Sequence, residues 1–314
     1  MNKNIDGCGT GIEAVITSFN QGTMILEAVG SLCAQTLLPQ KIIIVDDGST
    51  DEGSIRVLKD LENKAGLPIP VKIHYQENRG VSAARNAGIQ KAQAPMVLVL
   101  DGDDKLKPEY IEYVSQMLLG NPSMVAASSW MHTFGTLDSV VCPLGGKINA
   151  FLSRNCCPAT HILRRDVFEQ CGGYDESMRS GFEDWDFFLS MLETSLESSI
   201  GIVDKPLIQY RTAPASSNVK SMEKRLGLMR FIIEKHKDSY HGHMVDALLG
   251  IEAISNSRLY QWETEVAHAI ASHQEISQSS HDFLKSPTYG DGGMASAVRI
   301  ASDLTTKLGQ DRKE

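Results

Sequence analysis

Short apolar runs alternate with amphipathic segments between residues 13 and 131 of the chain. Four of the runs have the length and composition of buried strands, and between them apolar residues recur at helical spacing. The β-branched run at residues 41–45 favours a strand, and Pro108 favours the first turn of a helix. This alternation predicts an α/β protein with a doubly wound sheet. The predicted strands are residues 14–17, 41–45, 71–75 and 96–100.

The pattern is less regular after residue 124. In this part we expect strands at residues 124–127 and 206–211, a helix at 184–196 and a loop-rich segment at 135–146. Residues 213–217 combine Ala, Pro and Ser, which is typical of a boundary loop. We therefore predict a first domain of residues 1–215 and a helical C-terminal region of residues 216–314.

Composition narrows the class of protein. Of the 314 residues, 42% are hydrophobic and 22% charged, and the net charge of -9 argues against a nucleic-acid partner. No apolar run approaches the roughly 20 residues that cross a bilayer. The first residues also lack the apolar core of a signal peptide, so a cytoplasmic protein is expected. The amphipathic pattern of residues 222–237 leaves open a peripheral contact with a membrane, or with a second copy in a homodimer.

Three carboxylates follow the fourth predicted strand within four positions. Ligands of parallel sheets bind just beyond the carboxyl ends of strands, where Asp101 and Asp103 would emerge. Two carboxylates held close together need a positive partner. A divalent cation bound together with substrate phosphates is the obvious one. The alternative is a solvated acidic loop.

Two further groups of polar residues lie at predicted strand and helix ends. Asp46 and Asp47 end the second strand, where a carboxylate can accept a hydrogen bond from an imide or amide N–H. A helix-capping turn is the alternative for this pair. Arg79 and Arg85 flank a helix start rich in small residues, which suits phosphates or base carbonyls. An exposed turn is the alternative for the arginines.

A fourth group, Glu183, Asp184 and Trp185, begins the helix predicted at residues 184–196. Acidic residues at a helix start are favoured by the helix dipole alone. The same residues also suit a general base beside a ring on which a sugar stacks.

Seven strings of residues, in order between residues 13 and 211, together resemble glycosyltransferase family 2, the inverting enzymes with the GT-A fold. The resemblance implies a Rossmann-like mixed sheet flanked by helices, with a C-terminal helical appendage. It also implies a nucleotide-sugar half at about residues 13–130 and an acceptor half at 131–215. The strings are residues 15–20, 31–39, 45–51, 78–88, 100–104, 171–176 and 182–187.

The resemblance implies a nucleotide-diphosphate sugar donor, most often a uridine one. Thr17 and Asp47 would hold the base, and Arg79 or Arg85 would lie near the base or the phosphates. Asp103, with Asp101, would coordinate Mn²⁺ or Mg²⁺ at the diphosphate. The positions implied for the donor are Thr17, Asn20, Asp47, Arg79, Arg85, Asp101, Gly102 and Asp103.

By the same resemblance, Asp184 would deprotonate the acceptor hydroxyl as it attacks the anomeric carbon in line. Glu183, the second catalytic candidate, and Trp185 would shape the acceptor side. Many relatives carry a His shortly after a late Tyr-Arg pair, whereas Tyr210-Arg211 is followed by none. The third metal contact is thus open. His236, His241 and His243 are candidates for it, and surface histidines are the favoured interpretation.

Two other functions are weighed against this one. A non-catalytic nucleotide-sugar or scaffold protein on a degenerate GT-A fold would be expected to lack Asp103 or Asp184, and both are present. A sugar nucleotidyltransferase normally has a basic glycine-rich loop after the first strand, but residues 17–22 contain no Lys or Arg. The acceptor stays open among glycans, lipid-linked sugars, peptides and small molecules, as does the transferred sugar.

Overall fold

A computed structural model describes residues 11–213, 221–272, 274–288 and 292–300. The chain divides into two compact units, Met1–Met244 and Val245–Glu314. The domain boundary predicted between residues 215 and 216 lies outside the described residues. The helices between residues 225 and 242 fall within the first unit.

In the described part of the first unit, nine strands form one mixed sheet. The strand order is β3-β2-β1-β4-β8-β6-β9-β5, and β7 pairs with β6. The strands are β1 (Ile12–Ser18), β2 (Ile42–Asp46), β3 (Val71–Tyr75), β4 (Met96–Asp101), β5 (Lys105–Leu106), β6 (Met124–Gly135), β7 (Ser139–Val141), β8 (His161–Arg164) and β9 (Ser199–Thr212).

Helices flank this sheet, as the alternating pattern predicted. Those of the first unit are α1 (Met24–Cys33), α2 (Glu52–Glu62), α3 (Val81–Lys91), α4 (Tyr110–Gly120), α5 (Ile148–Phe151), α6 (Arg165–Cys171), α7 (Glu183–Leu192), α8 (Arg225–Lys235) and α9 (Lys237–Gly242). Helix α10 (Met244–Ala271) begins at the unit boundary, and α11 (Gln278–Lys285) follows.

Parallel pairing brings the strand ends of the first half to one edge. Strand β1 runs parallel to both β2 and β4, with Thr17 opposite Asp101 and Ser18 opposite Asp46. Strand β8 is antiparallel to β4, which makes the sheet mixed. The carboxyl ends of β1, β2 and β4 therefore present their last side chains to the same edge.

Burial explains why the sequence pattern located these strands. All seven residues of β1 and all five of β2 are buried, so both read as nearly continuous apolar runs. Helix α3 lies close against the sheet because Gly88 faces Val15 where a Cβ would collide with the valine side chain. Close packing of α3 on the sheet thus explains the glycine at position 88.

The second half differs from the prediction in several places. The segment expected to be loop-rich contains the end of β6 and the whole of β7. Strand β8 and helix α6 were not predicted. Strand β9 is longer than the expected strand at residues 206–211. The apolar face expected in α8 is buried only at Ile232, whereas Leu226 is 86% exposed.

The second unit is helical in its described residues, as expected for the C-terminal region. The Trp262 ring packs edge-on to Phe283 with 4.5 Å between centroids, and its Nε1 donates to Ser280. Arg299 pairs with Glu263. Among the described residues of the whole chain, none of the helices is long and apolar enough to cross a membrane.

Candidate active site

Two cavities open at the edge where the parallel strands end. The first has a volume of about 660 Å³ and the second about 640 Å³. Thr17, Asp47 and Asp103 line only the first, whereas Asp184 and Trp185 line only the second. Their shared wall is formed by Arg85, Asp101, Gly181, Glu183 and Tyr210. The fold thus brings together most of the residues that the sequence proposed for a donor side and an acceptor side.

A buried arginine joins the two sides. The Arg85 side chain is 2% exposed, and its Nη2 donates to both oxygens of Asp101 at 2.9 and 3.1 Å. Its Nη1 donates to Glu183 at 3.2 Å, and the guanidinium lies 5.4 Å from the Tyr174 ring centroid. Thr17 Oγ1 adds a hydrogen bond to Asp101 at 3.0 Å. Arg85 therefore fixes the end of β4 against the start of α7.

The other predicted arginine lies elsewhere. The Arg79 side chain is 62% exposed and pairs with Glu176 at 2.6 Å. It lines neither cavity, although its backbone N–H donates to Asp47. Of the two arginines between which the sequence could not choose, Arg85 is the one in the cavity wall.

The turn after β4 holds two more carboxylates with different surroundings. Asp104 is 3% exposed, and its Oδ1 accepts the backbone N–H of Arg211 at 2.8 Å, so it ties this turn to β9. Asp103 lines the first cavity. Burial and the neighbouring charge of Asp101 raise the pKa of Asp103. A carboxylate in that position is stabilised by any cation that binds beside it.

Asp103 and Asp101 are the carboxylates at which the resemblance implies a divalent ion. Within the described ranges, no group of three or more His, Cys, Asp or Glu side chains could hold a metal. Mg²⁺, however, usually binds through one or two carboxylates, with water and substrate phosphates completing its ligands. Asp103 in the cavity wall can supply one such carboxylate, whereas both oxygens of the neighbouring Asp101 already accept hydrogen bonds from Arg85. The third protein contact stays unassigned.

One of the three histidines considered for that contact has another role. His236 was expected at the surface, but it is 3% exposed. Its Nε2 lies 3.1 Å from Asp186 and its Nδ1 2.9 Å from Glu193. Burial alone would lower the pKa of His236, but the hydrogen bonds to these two carboxylates raise it to about 9. A protonated imidazole that donates a hydrogen bond from each nitrogen holds the end of α8 to α7 and has no lone pair with which to bind a metal.

Asp47 lies in the first cavity with its carboxylate already in use. It accepts hydrogen bonds from Gln76 Nε2 at 2.8 Å, Arg79 N at 2.9 Å and Gly80 N at 2.8 Å. These bonds shape the loop before α3. A carboxylate has about four acceptor sites, so one remains for a ligand N–H.

Asn20 and Gly102 organise the loops around the first cavity. Asn20, in the left-handed region at φ 52°, accepts the N–H groups of Thr50 and Asp51 and joins the loops after β1 and β2. It does not line either cavity. A Cβ on Gly102 would lie 2.7 Å from the Thr17 carbonyl oxygen, so only glycine fits there.

Asp184 is the carboxylate that lines the second cavity and not the first. Its Oδ2 accepts from Asn155 Nδ2 at 3.0 Å and its Oδ1 from the Trp185 N–H at 2.9 Å. Burial and the neighbouring Glu183 raise the pKa of Asp184 to about 7. A carboxylate with this pKa can accept a proton near neutral pH and release it afterwards.

Trp185 lines the second cavity but offers little of its ring. It is 2% exposed, and its Nε1 donates to the Phe151 carbonyl at 2.7 Å. The stacking surface expected from the sequence is therefore mostly buried, and the ring supports the start of α7.

Several cations in the cavity walls were not found from the sequence. Arg179, Arg211 and Lys224 line the first cavity, and Arg154 and Arg225 line the second. They come from separate segments, and apart from Arg211, which belongs to the late Tyr-Arg pair, none lies in a string with a recognisable spacing. Arg211 was noted in the sequence only for the missing histidine after it.

Comparisons with known proteins agree with this arrangement. Residues 13–172, half of the chain, match the family described as Glycosyl transferase family 2. The uncharacterised glycosyltransferase YwdF of Bacillus subtilis is 27% identical over 186 residues, covering 57% of this chain and 66% of that protein. Across the first three curated relatives, the chain spans 32% to 66% of their length.

Solved structures share the fold. S. aureus TarS 1-349 in complex with UDP has a TM-score of 0.53 and 20% identity, covering 71% of this chain and 65% of that one. TarS 1-349 with UDP-GlcNAc has a TM-score of 0.53 and 18% identity, covering 66% and 60%. The family match, the named relatives and the shared fold lead to one conclusion: the chain belongs to glycosyltransferase family 2 and has the GT-A fold.

Proposed function

We propose that the protein transfers a sugar from a nucleotide-diphosphate donor, a UDP-sugar, to an acceptor hydroxyl, with inversion and with the aid of a divalent metal. The observation that carries the proposal is the pair of cavities that share Arg85, Asp101 and Glu183. One cavity offers carboxylates and cations suited to a metal-bound diphosphate, and the other offers a carboxylate suited to a base.

The first cavity suits the donor. Asp47 retains an acceptor site for a base N–H, and Thr17 and Asp101 lie together at the strand ends. Lys224 and Arg211 line the same cavity and can offset phosphate charge. The choice of uridine is supported by the TarS structures of the same fold, which contain UDP and UDP-GlcNAc.

Asp103, with Asp101, would hold Mn²⁺ or Mg²⁺. When bound, the ion offsets the charge that builds on the departing diphosphate. Burial and the neighbouring Asp101 raise the pKa of Asp103, and a bound cation would favour its charged form.

Asp184 acts as the general base in this proposal. The acceptor oxygen forms a bond to the anomeric carbon, the bond from that carbon to the diphosphate breaks, and the hydroxyl proton moves to Asp184. Asn155 holds one carboxylate oxygen and the Trp185 N–H the other, so the orientation of the base is fixed. Glu183, paired with Arg85, shapes the wall between donor and acceptor.

Calorimetric titration with UDP, GDP, TDP, CMP and ADP tests the donor half, each nucleotide being measured with Mn²⁺ and with EDTA. UDP is expected to bind with Mn²⁺ and at least tenfold more weakly with EDTA. Asp103→Asn should bind UDP as weakly with Mn²⁺ as the unaltered protein does with EDTA. The control Asp204→Asn alters an exposed residue outside both cavities and should change nothing. Equal binding with and without metal would contradict the metal role.

A further inference from the structure

Two arginines of the second cavity have no role in the proposed reaction. Arg154 and Arg225 line that cavity and not the first, so they face the acceptor side. Arg154 precedes Asn155, whose amide donates to Asp184 at 3.0 Å. The Arg225 guanidinium lies 5.4 Å from the centroid of Phe182, two residues before Asp184. Both positive charges therefore line the cavity that contains the proposed base.

Neither guanidinium is neutralised by a carboxylate in the described part of the chain. Arg85, Arg79 and Arg211 all form ion pairs with acidic side chains. Arg154 and Arg225 form none with the residues that the structure describes. Arg154 is exposed and Arg225 half-buried, so both can reach a ligand.

The surroundings of the two arginines leave their charge available. Of the acidic residues that line the cavity, Asp101 and Glu183 are already paired with Arg85, and Asp184 accepts hydrogen bonds from Asn155 and from the Trp185 N–H. Burial raises the pKa of the Cys156 thiol beside Arg154, so this thiol is neutral at physiological pH. An unpaired positive charge in a cavity attracts an anion, and the planar guanidinium matches the oxygens of a phosphate.

The rim of the same cavity is apolar. Val141, Leu144 and Met222 line it and are 39%, 70% and 48% exposed. These apolar side chains and the two arginines line the same cavity.

From this geometry we propose that the acceptor carries a phosphate group bound by Arg154 and Arg225, next to the hydroxyl that faces Asp184. This assignment rests on the proposed function, since it names the substrate class of the acceptor side. The phosphate could belong to a water-soluble sugar or polyol phosphate or to the head of a lipid. The apolar rim would contact a chain only in the second case.

Binding of matched probes tests the proposal. Glucose 1-phosphate and methyl α-glucoside share the sugar and differ in the phosphate, and decyl glucosyl phosphate adds an apolar chain. Each is titrated by calorimetry at constant ionic strength, with and without saturating UDP and Mn²⁺. We expect glucose 1-phosphate to bind at least tenfold more tightly than methyl α-glucoside. Tighter binding of the decyl compound by a further tenfold would identify a lipid source, and equal binding a water-soluble one.

Variants show whether the two arginines are responsible. The double variant Arg154→Gln/Arg225→Gln should lose at least tenfold in affinity for both phosphate probes and keep its affinity for UDP. The control Arg230→Gln removes the same charge from an exposed position of α8 outside both cavities and should stay within twofold. The proposal is wrong if the double variant binds glucose 1-phosphate as the unaltered protein does, or if the neutral glucoside binds equally well.

The donor proposal and the acceptor assignment can fail separately. If UDP does not bind but phosphate probes bind through Arg154 and Arg225, the anion site stands and the donor proposal fails. If UDP binds as proposed but the double variant changes nothing, only the acceptor assignment is overturned.

Discussion

Replacing Arg85 by Met is expected to destabilise the first unit strongly. The substitution keeps much of the side-chain volume but removes a charge that is 2% exposed and bonded to Asp101 and Glu183. Both carboxylates would remain in the cavity wall without their cation, beside Asp103 and Asp184. Removing one partner of a buried ion pair costs about 3 to 5 kcal/mol. We therefore expect the free energy of unfolding to fall by at least about 3 kcal/mol.

The assay is urea unfolding at pH 7, followed by tryptophan fluorescence. Trp130 and Trp185 lie in the first unit and Trp262 in the second, so a Trp262→Phe background restricts the signal to the first unit. The matched control is Arg79→Met, which removes an arginine that is 62% exposed. Exposed ion pairs contribute about 0 to 1 kcal/mol, so the control should lose no more than that.

Equal losses for the two variants would refute the reasoning, as would a loss below about 1 kcal/mol for Arg85→Met. Either result would mean that the Arg85 pairs do not hold the end of β4 against α7. The shared wall of the two cavities would then need another explanation.

Two further substitutions test other parts of the site. Gly102→Ala places a Cβ 2.7 Å from a backbone oxygen of β1 and should lower the free energy of unfolding by about 1 to 3 kcal/mol. In the control Gly120→Ala the new Cβ meets nothing within 4 Å, so this variant should not be destabilised. The hydrogen bonds of His236 to Asp186 and Glu193 raise its pKa to about 9. Protonated His236 therefore stabilises the folded state by up to about 3 kcal/mol, fully below pH 6.5, and this contribution is lost as the pH rises through 9. Urea midpoints at pH 6 and pH 10 measure this loss, which His236→Gln should abolish.

Similar losses for the two glycine variants would show that the turn after β4 can shift to accept a side chain. A pH dependence that survives in His236→Gln would assign the effect to other groups.

Much of the fold follows from local sequence. Strands β1, β2 and β4 are buried on both faces, so each forms an apolar run that is visible without knowledge of its neighbours. Strand β8 is only four residues long and pairs with β4 and β6, which lie far from it in sequence. Its position depends on that tertiary pairing, and no local pattern indicates it.

The candidate site was predictable where chain order sets the geometry. Thr17 and Asp101 end neighbouring parallel strands, so their proximity follows from the sheet alone. The sheet alone does not show whether Arg79 or Arg85 enters the site, because that depends on which side chain Asp101 and Glu183 enclose. His236 was misplaced for the same reason, since its partners lie more than 40 residues away.

The most direct test of the account is nucleotide release from UDP-sugars by the unaltered protein and by Asp184→Asn. The reactions contain Mn²⁺ and the phosphate-bearing and neutral acceptors described above, and released UDP is measured between pH 5 and 9. The account predicts that the rate of UDP release is at least about a hundredfold lower for Asp184→Asn. The control Asp204→Asn should release UDP at the unaltered rate. Burial and Glu183 raise the pKa of Asp184 to about 7. The rate of the unaltered protein should therefore decrease as the pH is lowered below 7, because the base becomes protonated. An Asp184→Asn variant that releases UDP at the unaltered rate would contradict the proposed mechanism.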